Sequence, residues 1–120
     1  MANEITQNIT LSVTKNGVTS SLVSNKRVTM TGDDFTNQTQ LIGTTAELVD
    51  LGDITGAPGN LVIKNLDTTN YIELGGDSGL TVFKLKINAG EASLVTLSSA
   101  TLYAKANTAD VRICILAVEV

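Results

Sequence analysis

At 120 residues the chain has the length of one domain, enough to bury a single core without help from a metal or a disulfide. Its net charge of −4, with eight Lys and Arg scattered along it, weighs against nucleic acid, whose phosphates require clustered basic side chains. It has no histidine and one cysteine, which excludes Ser-His-Asp and Cys-His catalysis and an intrachain disulfide and argues against a zinc site.

Hydrophobic residues make up 42% of the chain and charged residues 17%, a globular rather than a disordered balance. The start, Met1-Ala2-Asn3-Glu4, places no basic region before an apolar run, so no secretory signal is expected. No stretch approaches the roughly 18 apolar residues of a membrane helix. Synthesis and folding in a cytoplasm are the expectation. Asn8-Ile9-Thr10 and Asn37-Gln38-Thr39 match the glycosylation pattern and, without a signal, read as chance.

Along the chain, Ile5, Ile9, Leu11 and Val13 alternate with Thr10, Ser12 and Thr14, the period of two of a strand. Asn16-Gly17 follows, a two-residue hairpin turn in which both positions tolerate positive φ. The return strand carries Val18, Leu22, Val28 and Met30, and the interruptions at Ser24 and Lys26 predict a bend or bulge. Thr31-Gly32-Asp33-Asp34 reads as a turn. Phe35 to Thr45 is polar and irregular and reads as a loop or a short extended arm, so that residues 1–45 are expected to be partly an N-terminal arm or hairpin. Ala46 to Leu51 is apolar enough for a short strand, and Asp53 to Asn60, with the one proline, reads as a surface loop.

Cleaner strands are predicted at 61–65, 70–75, 80–88, 92–98, 101–106 and 110–119. In the third of these, Phe83, Leu85 and Ile87 oppose Lys84 and Lys86. The last is apolar on both faces, with Val111, Ile113 and Ile115 against Cys114, Leu116 and Val118, so it is expected at the centre of a sandwich or against another subunit. No stretch of a dozen residues has a 3.6 period. The fold class is therefore all-β, a single jelly-roll-like antiparallel β-sandwich of about eight or nine short strands spanning 1–120.

Chemical motifs are sparse. Gly76-Asp77-Ser78-Gly79 resembles the nucleophile segment of chymotrypsin-like proteases, but that segment needs a histidine, so it reads as a glycine-rich turn. Cys114, mid-strand among aliphatics, reads as a buried inert thiol. Asp33-Asp34 and Asp50/Asp53 lack the spacing of a calcium loop. Glu73, Glu91 and Glu119 are isolated carboxylates, and no glycine-rich phosphate loop occurs. No catalytic residue, cofactor or metal is assigned. Lys84 and Lys86 form a small basic stripe that suits either a solvated face or a contact with an acidic partner.

The segment Asn65-Leu66-Asp67-Thr68-Thr69-Asn70-Tyr71-Ile72-Glu73-Leu74-Gly75, then Phe83-Lys84-Leu85, Ala89-Gly90-Glu91 and Ala100-Thr101-Leu102-Tyr103-Ala104-Lys105-Ala106, and then the terminal strand, resembles small virion proteins of tailed bacteriophages. It is similar in particular to capsid decoration (cement) proteins, over about residues 60–119. The resemblance implies a non-enzymatic structural protein of the virion surface, a homotrimer clamping major capsid subunits, with no contact residue carried over. A phage tail or fibre module for host carbohydrate is the alternative. The candidate subunit or capsid interface comprises Val111, Ile113, Ile115, Leu116, Val118, Lys84 and Lys86.

Overall fold

The computed structural model describes residues 4–30, 32, 34–52, 54 and 56–119. All its regular elements are strands, and the chain divides into two compact units, Met1–Thr31 and Gly32–Val120. The turn expected at Thr31 to Asp34 and the carboxylate pairs that include Asp33 and Asp53 lie in part outside the described residues.

The first unit is a long hairpin of β1 (Ile5–Lys15) and β2 (Val18–Val28). Asn16 and Gly17 join them at φ 53° and 78°, the positive values that a two-residue turn matched to strand twist demands. The register runs unbroken from Lys15 opposite Val18 to Ile5 opposite Val28. The bulge expected near Ser24 and Lys26 is therefore absent. A bulge sets two residues against one. Here Ser24, Asn25 and Lys26 each meet a single partner, Ile9, Asn8 and Gln7. The loss of apolar alternation there marks a solvent-facing ribbon rather than a slipped register. The Thr14 and Thr19 hydroxyls meet at 2.9 Å beside the turn. At the base the Met30 N–H donates to Glu4 Oε1 at 3.3 Å.

The second unit contains β3 (Phe35–Ile42), β4 (Glu47–Leu48), β5 (Asn60–Asn65), β6 (Ile72–Gly75), β7 (Leu85–Ile87), β8 (Ala92–Val95), β9 (Tyr103–Ala106) and β10 (Val111–Val118). They form two four-stranded sheets in the orders β3-β10-β5-β8 and β4-β9-β6-β7, every pairing antiparallel. Each connection crosses from one sheet to the other except β6 to β7, which is the jelly-roll path.

The core lies between the sheets. One sheet contributes Ile42, Leu61, Ile63, Val111, Ile113, Ile115 and Ala117; the other contributes Ile72, Leu74, Ile87, Ala104 and Ala106. Strand β10 is central, paired on both edges, and buries every second residue. Its outward set is Arg112, Cys114, Leu116 and Val118.

Phe35–Ile42 is a strand, not the loop or arm expected from its polarity. Of its inward residues Ile42 alone packs in the core, while Thr36, Gln38 and Gln40 bond the segment 48–51 instead of packing apolar atoms. Thr36 Oγ1 donates to the Leu51 carbonyl at 3.0 Å, and Gln38 Nε2 to the Asp50 carbonyl at 2.7 Å. Gln40 donates to the Leu48 carbonyl at 3.0 Å and accepts from the Asp50 N–H at 2.8 Å. A polar lattice of this kind leaves no hydrophobic period to read.

The strand expected over 80–88 shrinks to Leu85–Ile87. Asp77 gathers the N–H groups of Thr81 and Val82 and the Thr81 hydroxyl, which folds 77–82 into a turn. Ile87 is buried, Phe83 is half-buried against the core and Leu85 remains 37% exposed. The 53–60 segment is less superficial than expected: Ile54 and Pro58 are buried, and the Pro58 carbonyl accepts from the Leu97 N–H at 3.2 Å.

Candidate functional site

The described surface offers three places where side chains stand uncovered in an ordered array, and each follows from strand register. The first is the hairpin. Residues directly opposite share a face, so Ile5, Ile9, Leu11, Val13, Val18, Leu22 and Val28 all lie on one side. Thr6, Asn8, Thr10, Ser12, Thr14, Thr19, Ser21 and Asn25 lie on the other. Leu11 and Leu22, mutually opposite, are 75% and 74% exposed. Thr6, Asn8, Asn25 and Arg27 on the polar side, with Lys26 reaching in from the other face, border an open depression of about 420 Å³.

The second array is the outer face of β4-β9-β6-β7. Glu73 stands opposite Lys86 on one side and Lys105 on the other. Lys84 reaches Glu73 Oε2 at 3.4 Å, and Lys86 Nζ lies 4.2 Å from the centre of the Tyr71 ring. Three lysines thus stand around one carboxylate, to which Lys84 is ion-paired, on a face that also carries Tyr103 and the exposed Leu48. An ion pair this exposed stabilises the fold little.

The third array is the outer face of β3-β10-β5-β8. One row runs Asn37, Leu116, Val62, Leu94 and the next Thr39, Cys114, Lys64, Ala92. Phe35 and Leu41 are exposed at the β3 edge.

The candidate interface residues fall in different places. Val111, Ile113 and Ile115 are wholly buried between the sheets and so are unavailable to a partner. Leu116 and Val118 face outward on the third array, and Lys84 and Lys86 belong to the second. Sequence reading missed Lys105, Tyr71, Tyr103 and Glu73 as neighbours of that lysine pair. The outward parity of Tyr103 and Lys105 against buried Ala104 and Ala106 was the available signal.

One end of the sandwich is fastened by polar side chains. The buried Asn65 donates to the carbonyls of Asn70 at 2.9 Å and Ile87 at 3.1 Å, and accepts from the Asp67 N–H at 2.8 Å. The Asn107 and Tyr71 segments bond reciprocally, at 3.1 and 3.2 Å. Hydrogen bonds from the Asn70 and Thr69 N–H groups hold the Asp67 carboxyl below its ordinary pKa. The Thr81 hydroxyl, followed by the N–H groups of Val82 and Thr81, does the same for Asp77. The Asp77 oxygens are spent on closing the turn, within the segment that resembles a protease motif.

Cys114 is half-buried, its sulfur 3.9 Å from Asn37 Oδ1. Among the described residues no three His, Cys, Asp or Glu side chains are placed to hold a metal ion. No described helix is long and apolar enough to cross a membrane, which says nothing of strands. Comparison with protein-family models, curated proteins and solved structures finds no match.

Proposed function

We propose that the chain is a structural virion protein, a bacteriophage capsid decoration protein that binds the outer surface of the major capsid lattice as a homo-oligomer, a trimer by the family resemblance. The observation that carries this reading is the segregation of the surface. A rigid jelly roll presents a lysine face (Lys84, Lys86 and Lys105 around Glu73), and a hairpin presents an uncovered aliphatic face. The resemblance of residues 60–119 to decoration proteins supports the same reading. The lysine face suits an acidic capsid surface, because charge complementarity steers association and fixes register.

The test is sedimentation of the purified chain with expanded, undecorated capsids, followed by cryo-electron microscopy of the virion. Density on the capsid exterior and salt-sensitive co-sedimentation are expected. Density confined to the tail would favour the second reading, a fibre module for host carbohydrate. Tyr71 and Tyr103 on one outer face are the observation on its side. Lys86 already stands over the Tyr71 ring, the surface a sugar would use, and this favours the capsid reading.

A further inference from the structure

An open sheet has edge strands, and natural sheets blunt them with shortness, charge, proline or a bulge, because a bare edge is a template for another strand. The edges of this chain differ in how they are blunted. In the sandwich β4, β7 and β8 have two, three and four residues, and Glu47 and Lys86 lie on the first two. In the hairpin β1 carries Lys15, and β2 carries Lys26 and Arg27. Strand β3 has none of these devices. It is eight residues long, Phe35-Thr36-Asn37-Gln38-Thr39-Gln40-Leu41-Ile42, with no charge, proline or glycine. Its register with β10 is unbroken, so no bulge turns it away. No strand among the described residues pairs with its other edge.

The order of residues in β3 selects the strand that fits. Laid antiparallel against itself about Gln38, it sets Phe35 opposite Leu41, Thr36 opposite Gln40 and Asn37 opposite Thr39, each pair made twice. Directly opposite residues share a face. In this register inward residues meet inward ones and outward residues meet outward ones, so both sandwiches keep their cores on one side of a continuous sheet. Phe35 and Leu41, 65% and 46% exposed, then cover each other on the outer face. An axis at Asn37 or at Thr39 leaves Leu41 or Phe35 outside the apolar pairing, and an axis between residues sets inward side chains against outward ones. No charge on either strand is brought against its like. Main-chain hydrogen bonds supply the strength of a contact of this kind, and the side-chain pairs supply its register.

We propose that β3 of one copy pairs with β3 of a second, antiparallel about a twofold axis at Gln38, and joins the two β3-β10-β5-β8 sheets into one of eight strands. The contact is isologous, so each copy offers the same surface and the pair is closed. It goes beyond the reading above and does not rest on it. A chain that pairs through β3 and ignores capsids defeats only the capsid reading. A monomer that binds capsids defeats only this proposal.

The experiment is light scattering on the concentrated full chain during size-exclusion chromatography. The wild type is expected at an even multiple of the 12.5 kDa chain mass. Asn37→Lys with Thr39→Lys sets like charges opposite each other at two places across the axis and should halve the mass. Asn37→Lys with Thr39→Glu changes the same two outward positions but sets opposite charges across the axis. It should keep the wild-type mass, which also shows that a charged β3 still folds. Ala92→Lys, outward on β8 at the far edge of the same sheet, should keep it too.

A wild type with an odd number of chains overturns the proposal, as does a mass that survives the double lysine variant. A Lys and Glu variant as small as the double lysine variant places the contact away from Gln38 and overturns the assignment.

Discussion

The buried side-chain amide of Asn65 donates to the main-chain carbonyl of Ile87 at 3.1 Å, tying the end of β5 in one sheet to the end of β7 in the other. The same amide donates to Asn70, and its oxygen accepts from Asp67, so one residue satisfies three main-chain groups. Buried polar groups are costly only when a partner is missing. Asn65→Ala removes all three partners at once, and the expected loss is about 2–3 kcal/mol in denaturant unfolding. Asn65→Asp cannot donate at neutral pH and should cost at least as much. A loss under roughly 0.5 kcal/mol for Asn65→Ala would mean that water replaces the amide without penalty.

Residues on the two faces of β10 should respond very differently to truncation. Ile113 is wholly buried, whereas Leu116 faces outward and is 39% exposed. Ile113→Ala should destabilise by about 2–5 kcal/mol through lost burial and the cavity left behind. Leu116→Ala in the monomeric state should cost under about 1 kcal/mol. Chemical denaturation of both variants checks the strand's orientation. Similar losses would contradict the face assignment, since a one-residue shift exchanges the two sets.

Gly75 sits beneath Leu80, which itself adopts φ 54°. A Cβ at position 75 would lie 2.7 Å from Leu80 Cδ2 and 2.8 Å from both the Leu80 Cα and the Phe83 carbonyl oxygen. Two of these obstacles are backbone, so the 77–83 turn would have to move. Gly75→Ala should lower stability by roughly 1–3 kcal/mol, read as a drop in Tm. Gly56→Ala, where the added atom meets nothing within 4 Å, is the control and should leave Tm nearly unchanged.

The ease with which these elements could be read from sequence follows their chemistry. Strands β5 and β10 were legible because Leu61, Ile63, Ile113 and Ile115 project aliphatic side chains into the core at a period of two. The hairpin turn was legible because Asn16-Gly17 permits positive φ at both positions. Strand β3 was hidden because Thr36, Gln38 and Gln40 hold their side of the sandwich by hydrogen bonds. The lysine face was half legible. Lys84 and Lys86 are close in sequence, but Lys105 joins them only because β9 lies beside β6, and strand order has no local signature. The inward aliphatic residues of β10 were nominated for an interface because an apolar run does not reveal which face is already covered.

The acid limb of stability should be set by Asp67 and Asp77. Both are held below the ordinary aspartate pKa of 3.8 by hydrogen bonds that exist only in the fold. At pH values just under 3.8 the unfolded chain binds protons that the folded chain still refuses, so stability rises with pH through that window. The contribution is complete above the unfolded value and is lost as pH falls through the depressed folded values. Tm should therefore be flat near neutrality and fall below about pH 4. Asp77→Asn keeps an oxygen that can accept from the Thr81 and Val82 N–H groups but does not titrate. It should lower Tm at pH 7 and flatten the acid fall. Thermal melts of wild type and variant from pH 7 to pH 2 measure both effects. An acid limb unchanged in Asp77→Asn would assign that part of the titration to other carboxylates.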